Sequence, residues 1–101
     1  MKRLTKQELL TYLKPGTKLT LVFQSTKGSI VRKHRTVLGI VGDRVYTRVD
    51  HDPRSRERVT RILLSGAGGR RFYLLSWGFM IVAGNGMRAI YMWGHQRSIK
   101  K

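Results

Sequence analysis

Residues 36–49 read TVLGIVGDRVYTRV, and this stretch decides the fold. Gly42-Asp43 is a two-residue turn signal between two segments of strand character, 36–41 and 44–49, and such a turn joins the arms of a hairpin. Side chains alternate between the two faces of a strand. In the second arm, one face carries Val45, Thr47 and Val49, and the other carries Arg44, Tyr46 and Arg48. The stretch therefore predicts an antiparallel hairpin with one apolar face and one basic, aromatic face.

The segments on both sides of this hairpin continue the strand pattern. TKLTLVFQ (17–24) alternates, STKGS (25–29) is a turn, and IVRKHRTVLGIV (30–41) is a long strand in which Gly39 allows a bulge. The downstream strands and turns are VTRILLS (59–65), GAGG (66–69), RRFYLLSW (70–77), a bend at Gly78, FMIVA (79–83), GNG (84–86) and MRAIYMW (87–93). Six or seven short strands with close turns predict an antiparallel meander curled into a small barrel or sandwich.

One short helix is predicted at about residues 5–14. Thr5 and Glu8 have the spacing of a capping box, and Lys14-Pro15-Gly16 ends the helix. The segment Leu13-Lys14-Pro15-Gly16-Thr17 before a strand resembles the start of small SH3-like barrels. The resemblance implies that the predicted barrel could be of the SH3-like type. We expect a single domain over residues 1–101, mainly β although α+β by count. Its β part spans about residues 17–93, and a basic C-terminal tail spans 94–101.

Positive charge is the strongest signal in the composition. The 101 residues include 21 lysines and arginines against 5 acids, for a net charge of +16, and arginine outnumbers lysine by 13 to 8. A polyanion normally neutralises such an excess, and arginine binds phosphate with two parallel hydrogen bonds. The predicted function is therefore non-catalytic binding of nucleic acid, either DNA or RNA.

The loop DHDPRSRER (50–58) is interpreted as a phosphate clamp, in which Asp50 and Asp52 hold Arg54 or Arg48 in place. The predicted nucleic-acid-binding residues form three clusters with one aromatic ring among them. They are Arg32, Lys33, Arg35, Arg44, Tyr46, Arg48, Arg54, Arg56, Arg58, Arg70 and Arg71.

Catalysis and cofactors have weaker support. A metal site at Asp50, His51 and Asp52 would have few ligands, and the arginines nearby would repel a cation. The three histidines lie in basic surroundings without a hydrolase motif, and His34 is better explained as a neutral donor to phosphate or a solvent-facing side chain. The absence of cysteine excludes a disulfide scaffold and a thiol nucleophile. We expect no catalytic residue, no metal and no cofactor.

The uncharged run 72–87 is too short and too rich in glycine for a membrane helix, so two adjacent core strands explain it better. No secretory signal is visible, and we expect a cytoplasmic or nucleoid-associated protein without a membrane partner. Two alternative functions stay open. One is a mobile-element type of inhibitor or adaptor that binds a larger protein of nucleic-acid metabolism. The other is an RNA-dependent structural component of a ribonucleoprotein. The sequence leaves the oligomeric state open.

Overall fold

A computed structural model describes residues 1–95, as one short helix and one antiparallel sheet. The elements are β1 (Lys2–Leu4), α1 (Lys6–Tyr12), β2 (Lys18–Gln24), β3 (Ile30–Val41), β4 (Arg44–Asp50), β5 (Val59–Leu63), β6 (Arg70–Leu75), β7 (Gly78–Ala83) and β8 (Arg88–Trp93). The strand order is β1-β6-β7-β8-β2-β3-β4-β5. The predicted mainly β fold with a short N-terminal helix is confirmed. The strands β2–β5 and β6–β8 follow one another as in a meander, but β1 pairs with β6 and β8 pairs with β2. Within residues 1–95 the fold has eight strands rather than six or seven.

The additional strand is β1, which was not predicted. It pairs with β6, so that Leu4 lies opposite Phe72, and both side chains are buried. This pairing attaches the N-terminus to the strand that follows the GAGG turn. Strands β1 and β5 are the two edges of the sheet, which is therefore curled but not closed.

The helix begins at the predicted capping box. The Thr5 hydroxyl accepts from the Glu8 amide at 3.1 Å, and the Glu8 carboxylate accepts from the Thr5 amide at 2.9 Å. The helix ends two residues earlier than predicted. The Leu13 amide donates to the carbonyl of Leu10, only three residues back, so the α-helical bonding does not continue. Leu9 and Leu13 are fully buried against the sheet. The helix therefore covers one part of the core.

The core lies on one face of the sheet. Its fully buried apolar side chains include Leu9, Leu13, Leu19, Val37, Val45 and Phe79. The rings of Phe79 and Tyr91 stack with centroids 4.8 Å apart, and Trp93 lies 5.3 Å from Phe79. Burial of this kind is the main stabilising contribution in a domain of this size. The opposite face of the sheet is called the outer face below.

The hairpin 36–49 has the predicted structure. Val41 lies opposite Arg44 across a turn in which Gly42 has a φ of 59°, and the register shifts between Val37 and Gly39, which confirms the bulge. Val45, Thr47 and Val49 are buried, whereas Arg44 and Arg48 are exposed and Tyr46 is half-buried. The predicted assignment of the two faces is confirmed.

The uncharged run 72–87 forms two paired strands, as predicted, and no helix within residues 1–95 is long and apolar enough to span a membrane.

Gly78 was predicted at a bend, but it is the first residue of β7, directly after a tight turn. A Cβ atom on Gly78 would overlap the carbonyl oxygen of Tyr91. Glycine is therefore required here because the β7 backbone lies very close to β8.

The start of the predicted C-terminal tail is held against the sheet. The Gly94 amide donates to the carbonyl of Lys18 at 2.7 Å, and the Gly94 carbonyl accepts from the Thr20 hydroxyl at 2.8 Å. This contact covers Thr20, which is completely buried. The chain after β8 is thereby directed across β2 towards β3. Residues 96–101, the rest of the predicted tail, lie outside the described residues.

Candidate nucleic-acid interface

Arg44, Tyr46 and Arg48 lie on the outer face of β4, and Arg61 of β5 lies directly opposite Tyr46. These four residues are called the arginine face below. Directly opposed residues in antiparallel strands have Cβ atoms about 5 Å apart. One aromatic ring is thus bordered by arginines along its own strand and across the neighbouring strand. Proteins that bind single-stranded nucleic acid combine positive charge with aromatic side chains.

Arg61 was not among the residues predicted to bind nucleic acid. Ile62 and Leu64 are buried, and the alternation of strand 59–63 places Arg61 on the opposite side from Ile62. That part of the signal was present in the sequence. The position of Arg61 opposite Tyr46 follows only from the β4–β5 register, because the length of the loop does not determine which residues of the two strands pair.

The arginine-rich loop joins β4 to β5 beside the arginine face. Arg54, Arg56 and Arg58 are all exposed. The Val49 amide donates to the carbonyl of Arg58 at 2.8 Å, which fixes the end of the loop at the end of β4. The loop arginines can therefore extend the positive surface that Arg48 begins.

Asp50 anchors Arg48, as the sequence predicted. Arg48 Nε donates to Asp50 Oδ1 at 2.7 Å, and the Thr36 hydroxyl donates to Asp50 Oδ2. Burial by itself would raise the pKa of Asp50, but the hydrogen bonds from Thr36 and Arg48 and the charges of Arg48 and His95 together lower it. The carboxylate is therefore charged at neutral pH and orients Arg48.

Asp50 was considered with His51 and Asp52 as a possible metal ligand. Asp50 already accepts hydrogen bonds from Thr36 and Arg48. Within residues 1–95, no group of three or more histidine, cysteine, aspartate or glutamate side chains is arranged to hold a metal ion.

Two of the predicted binding residues face the core side of the sheet instead. Lys33 lies over the Phe23 ring, with Nζ 5.6 Å from the ring centroid, and Arg35 is only 9% exposed. Arg35 Nη1 donates to the carbonyl of His34 at 2.9 Å. Neither residue belongs to the arginine face, whereas Arg32 lies on the same face of β3 as His34.

Arg70 and Arg71 lie on β6, in a different part of the sheet from β4. Arg70 is half-buried, and its Nε donates to the carbonyl of Ser65 at 3.1 Å. Both arginines line a cleft of about 440 Å³ together with Arg3, Lys6 and Leu64. This cleft is a second concentration of positive charge, although Lys6 is paired with Asp43.

All three histidines of the chain meet on the outer face. Their proximity was not predicted from the sequence. The ring centroids are 5.5 Å apart for His34 and His51, 5.1 Å for His34 and His95, and 5.2 Å for His51 and His95. They come from β3, from the residue after β4 and from the segment after β8. These residues are called the histidine cluster below.

The comparisons with known proteins are negative. No protein family, no curated protein and no solved structure matches this chain. The arginine face, the adjoining loop and the histidine cluster are therefore the features from which a function can be inferred.

Proposed function

We propose that this protein binds nucleic acid, without catalysing a reaction, through the arginine face and the loop 51–58. The observation that carries the proposal is the position of Tyr46 between Arg44 and Arg48 on β4 and opposite Arg61 on β5. Guanidinium groups bind phosphate oxygens with paired hydrogen bonds, and a tyrosine ring stacks on bases of any sequence.

The placement of the acids supports the same function. Asp43 pairs with Lys6, Glu8 caps the helix, and Asp50 pairs with Arg48. Three of the five acidic residues thus have partners within the fold. Asp50 is the one that adjoins the arginine face, and there it orients Arg48. A surface evolved for solubility alone would mix the two signs of charge more evenly.

The salt dependence of binding tests the proposal. A labelled dT oligonucleotide and a duplex are titrated with the protein at several salt concentrations. About five phosphate contacts predict a slope of log K against log salt near −4 to −5 on duplex DNA. The variant Arg44→Gln/Arg61→Gln should flatten this slope by about 2 and weaken binding to both ligands.

The matched control is Lys27→Gln/Arg88→Gln, which removes the same charge from two exposed positions outside the arginine face. It should change the slope by much less. Equal effects of the two double variants would mean that only the net charge matters and that the arginine face is not the interface. Failure of every oligonucleotide to bind at low salt would overturn the proposed function itself.

One observation favours a protein partner as the second candidate function. Trp77, in the turn between β6 and β7, is 46% exposed, whereas Phe72 and Tyr91 are buried. Exposed tryptophan is a common anchor of protein interfaces. A partner that is captured after nuclease treatment in about 0.5 M salt and lost in Trp77→Ala would support this function, since exposed charge contacts are strongly screened there.

A structural role in a ribonucleoprotein has a separate test. In that case RNA should co-purify with the protein, and the ratio of absorbance at 260 and 280 nm should fall after nuclease treatment. The protein should also lose solubility once the RNA is removed.

A further inference from the structure

The histidine cluster lies beside the proposed interface and is connected to it through Asp50. Arg48 Nε bonds Asp50 Oδ1 at 2.7 Å, and His95 Nε2 lies 3.3 Å from Asp50 Oδ2. His34 lies directly opposite Asp50 in the β3–β4 pair. Asp50 therefore contacts both Arg48 of the arginine face and His95 of the histidine cluster, and His34 lies opposite it.

The position of the proton on His95 follows from its two neighbours. Nε2 lies 3.1 Å from the carbonyl oxygen of Arg35 and 3.3 Å from Asp50 Oδ2, and both of these oxygens are acceptors. Nε2 must therefore carry a hydrogen in either charge state.

Positive side chains outnumber negative ones among the described charged residues around the cluster. From β4 it faces Asp50 and Arg48, and Asp52 follows His51 in the loop. From β3, Arg32 lies on the same face as His34, and from β2, Lys18 lies opposite Thr36. Asp50 is already paired with Arg48. Protons added to the three imidazoles would repel one another, and a bound anion would offset this repulsion.

We propose that the histidine cluster is a phosphodiester-binding site, next to Arg48, whose imidazoles take up protons from solvent when the nucleic-acid backbone binds. The inference rests on the proposed function and adds pH dependence to it. His51 is exposed and His34 and His95 are half-buried, so a backbone phosphate can reach the rings from solvent. Protonated imidazole donates from both nitrogens and binds a phosphate oxygen through charge as well as through a hydrogen bond.

The first test is the pH dependence of binding to oligo-dT at constant ionic strength, between about pH 5.5 and pH 8, where imidazoles change charge. Neither thymine nor a phosphodiester titrates in this range. If binding is linked to the uptake of one proton, the dissociation constant should fall by about three- to tenfold for each unit decrease in pH. The N-terminal amine is the same in the wild type and in every variant, so a difference between their pH profiles comes from the histidines.

The variants replace imidazole by a neutral amide that does not titrate. His34→Gln/His51→Gln/His95→Gln should bind oligo-dT with a nearly flat pH profile and with an affinity close to that of the wild type at pH 8. His34→Gln/His51→Gln retains the contacts of His95, and it keeps the test valid if the triple variant fails to fold. Arg44→Gln is the control, because it should weaken binding at every pH and leave the pH slope unchanged.

The second test reads the protonation directly. The chain has three histidines, so a long-range ¹H–¹⁵N spectrum of the rings contains signals from three imidazoles. Addition of oligo-dT near pH 7 should move ring nitrogen shifts towards the imidazolium value. A response to inorganic phosphate but not to oligo-dT would overturn the assignment of the site to the nucleic-acid backbone.

Two results would overturn the inference while leaving the proposed function in place. One is tight, salt-dependent binding to oligo-dT that has the same pH slope in the wild type and in the histidine variants. The other is saturable binding of zinc chloride that is lost in the triple variant, which would assign the cluster to a metal instead. If no oligonucleotide binds at any pH, both the inference and the proposed function are overturned.

Discussion

Arg61 lies directly opposite Tyr46 in the β4–β5 pair. This register places residues from two strands, separated by a loop of eight residues, around one aromatic ring. Because both strands are hydrogen-bonded in the sheet, the fold fixes the backbone positions of Tyr46 and its arginine neighbours. An interface that is ordered in advance loses less entropy on binding than one made of mobile loops.

The first prediction concerns Tyr46. Tyr46→Leu removes the ring and leaves the charges in place, so it should weaken single-strand binding by about 1–3 kcal/mol, the usual contribution of one stacked base. The slope of log K against log salt should not change, because no phosphate contact is lost. Fluorescence anisotropy with oligo-dT measures both quantities. Tyr73→Leu, a half-buried tyrosine on β6, is the control; an equal loss there would rule out a specific role for Tyr46.

The second prediction concerns the loop. Arg54→Ala/Arg56→Ala should weaken binding to a similar degree for different sequences, because contacts to phosphate carry no base information. It should also make the salt slope less steep by up to about 2, one unit for each lost contact. Both side chains are exposed, so the fold should be unaffected. A slope identical to that of the wild type would remove the loop from the interface.

Much of the fold could be predicted from local sequence. The Gly42-Asp43 turn, the bulge at Gly39 and the capping box of Thr5 and Glu8 each depend on residues close together in the chain, and the structure has all three. Strand β1 could not be predicted, because three residues are too few to show alternation. Its pairing with β6 joins segments about 70 residues apart.

The candidate site was harder to predict than the fold. The segment RKHR (32–35) carries charge on both faces, so alternation does not tell which side is the core side. In the structure Lys33 lies on the core side of the strand, with its ammonium over the Phe23 ring. A lysine can occupy this position because its stem covers apolar surface. The histidine cluster requires the chain to return across β2 after Trp93, and no local pattern encodes this.

The third prediction compares two glycines. Gly78→Ala should destabilise the protein by about 3 kcal/mol or more, or prevent folding, because its Cβ would overlap the Tyr91 carbonyl and a strand must move. Gly39→Ala should change stability by less than about 1 kcal/mol, because no heavy atom lies within 4 Å of the added carbon. Urea unfolding followed by tryptophan fluorescence measures the difference. Similar stabilities of the two variants would contradict the close approach of β7 and β8.

The fourth prediction concerns Asp50 and acid. Asp50→Asn should lower the free energy of unfolding at neutral pH by about 1–3 kcal/mol, because the charge-assisted hydrogen bonds from Arg48 and Thr36 are weakened. The pKa of Asp50 is lowered in the folded protein. Its stabilising contribution is therefore complete above the ordinary aspartate pKa of about 3.9 and is lost as the pH falls through the lower, folded value.

The wild type should consequently lose its advantage over Asp50→Asn as the pH falls below about 4, and the free energies of unfolding of the two proteins should converge. Asp52→Asn makes the same chemical change in the adjacent loop and should not reproduce this convergence. Urea unfolding at several pH values measures all three proteins. A stability difference between the wild type and Asp50→Asn that stays constant down to pH 3 would mean that Asp50 does not hold Arg48 through its charge. In that case Asp50 would not fix the orientation of Arg48, the residue of the arginine face that lies next to the loop and the histidine cluster.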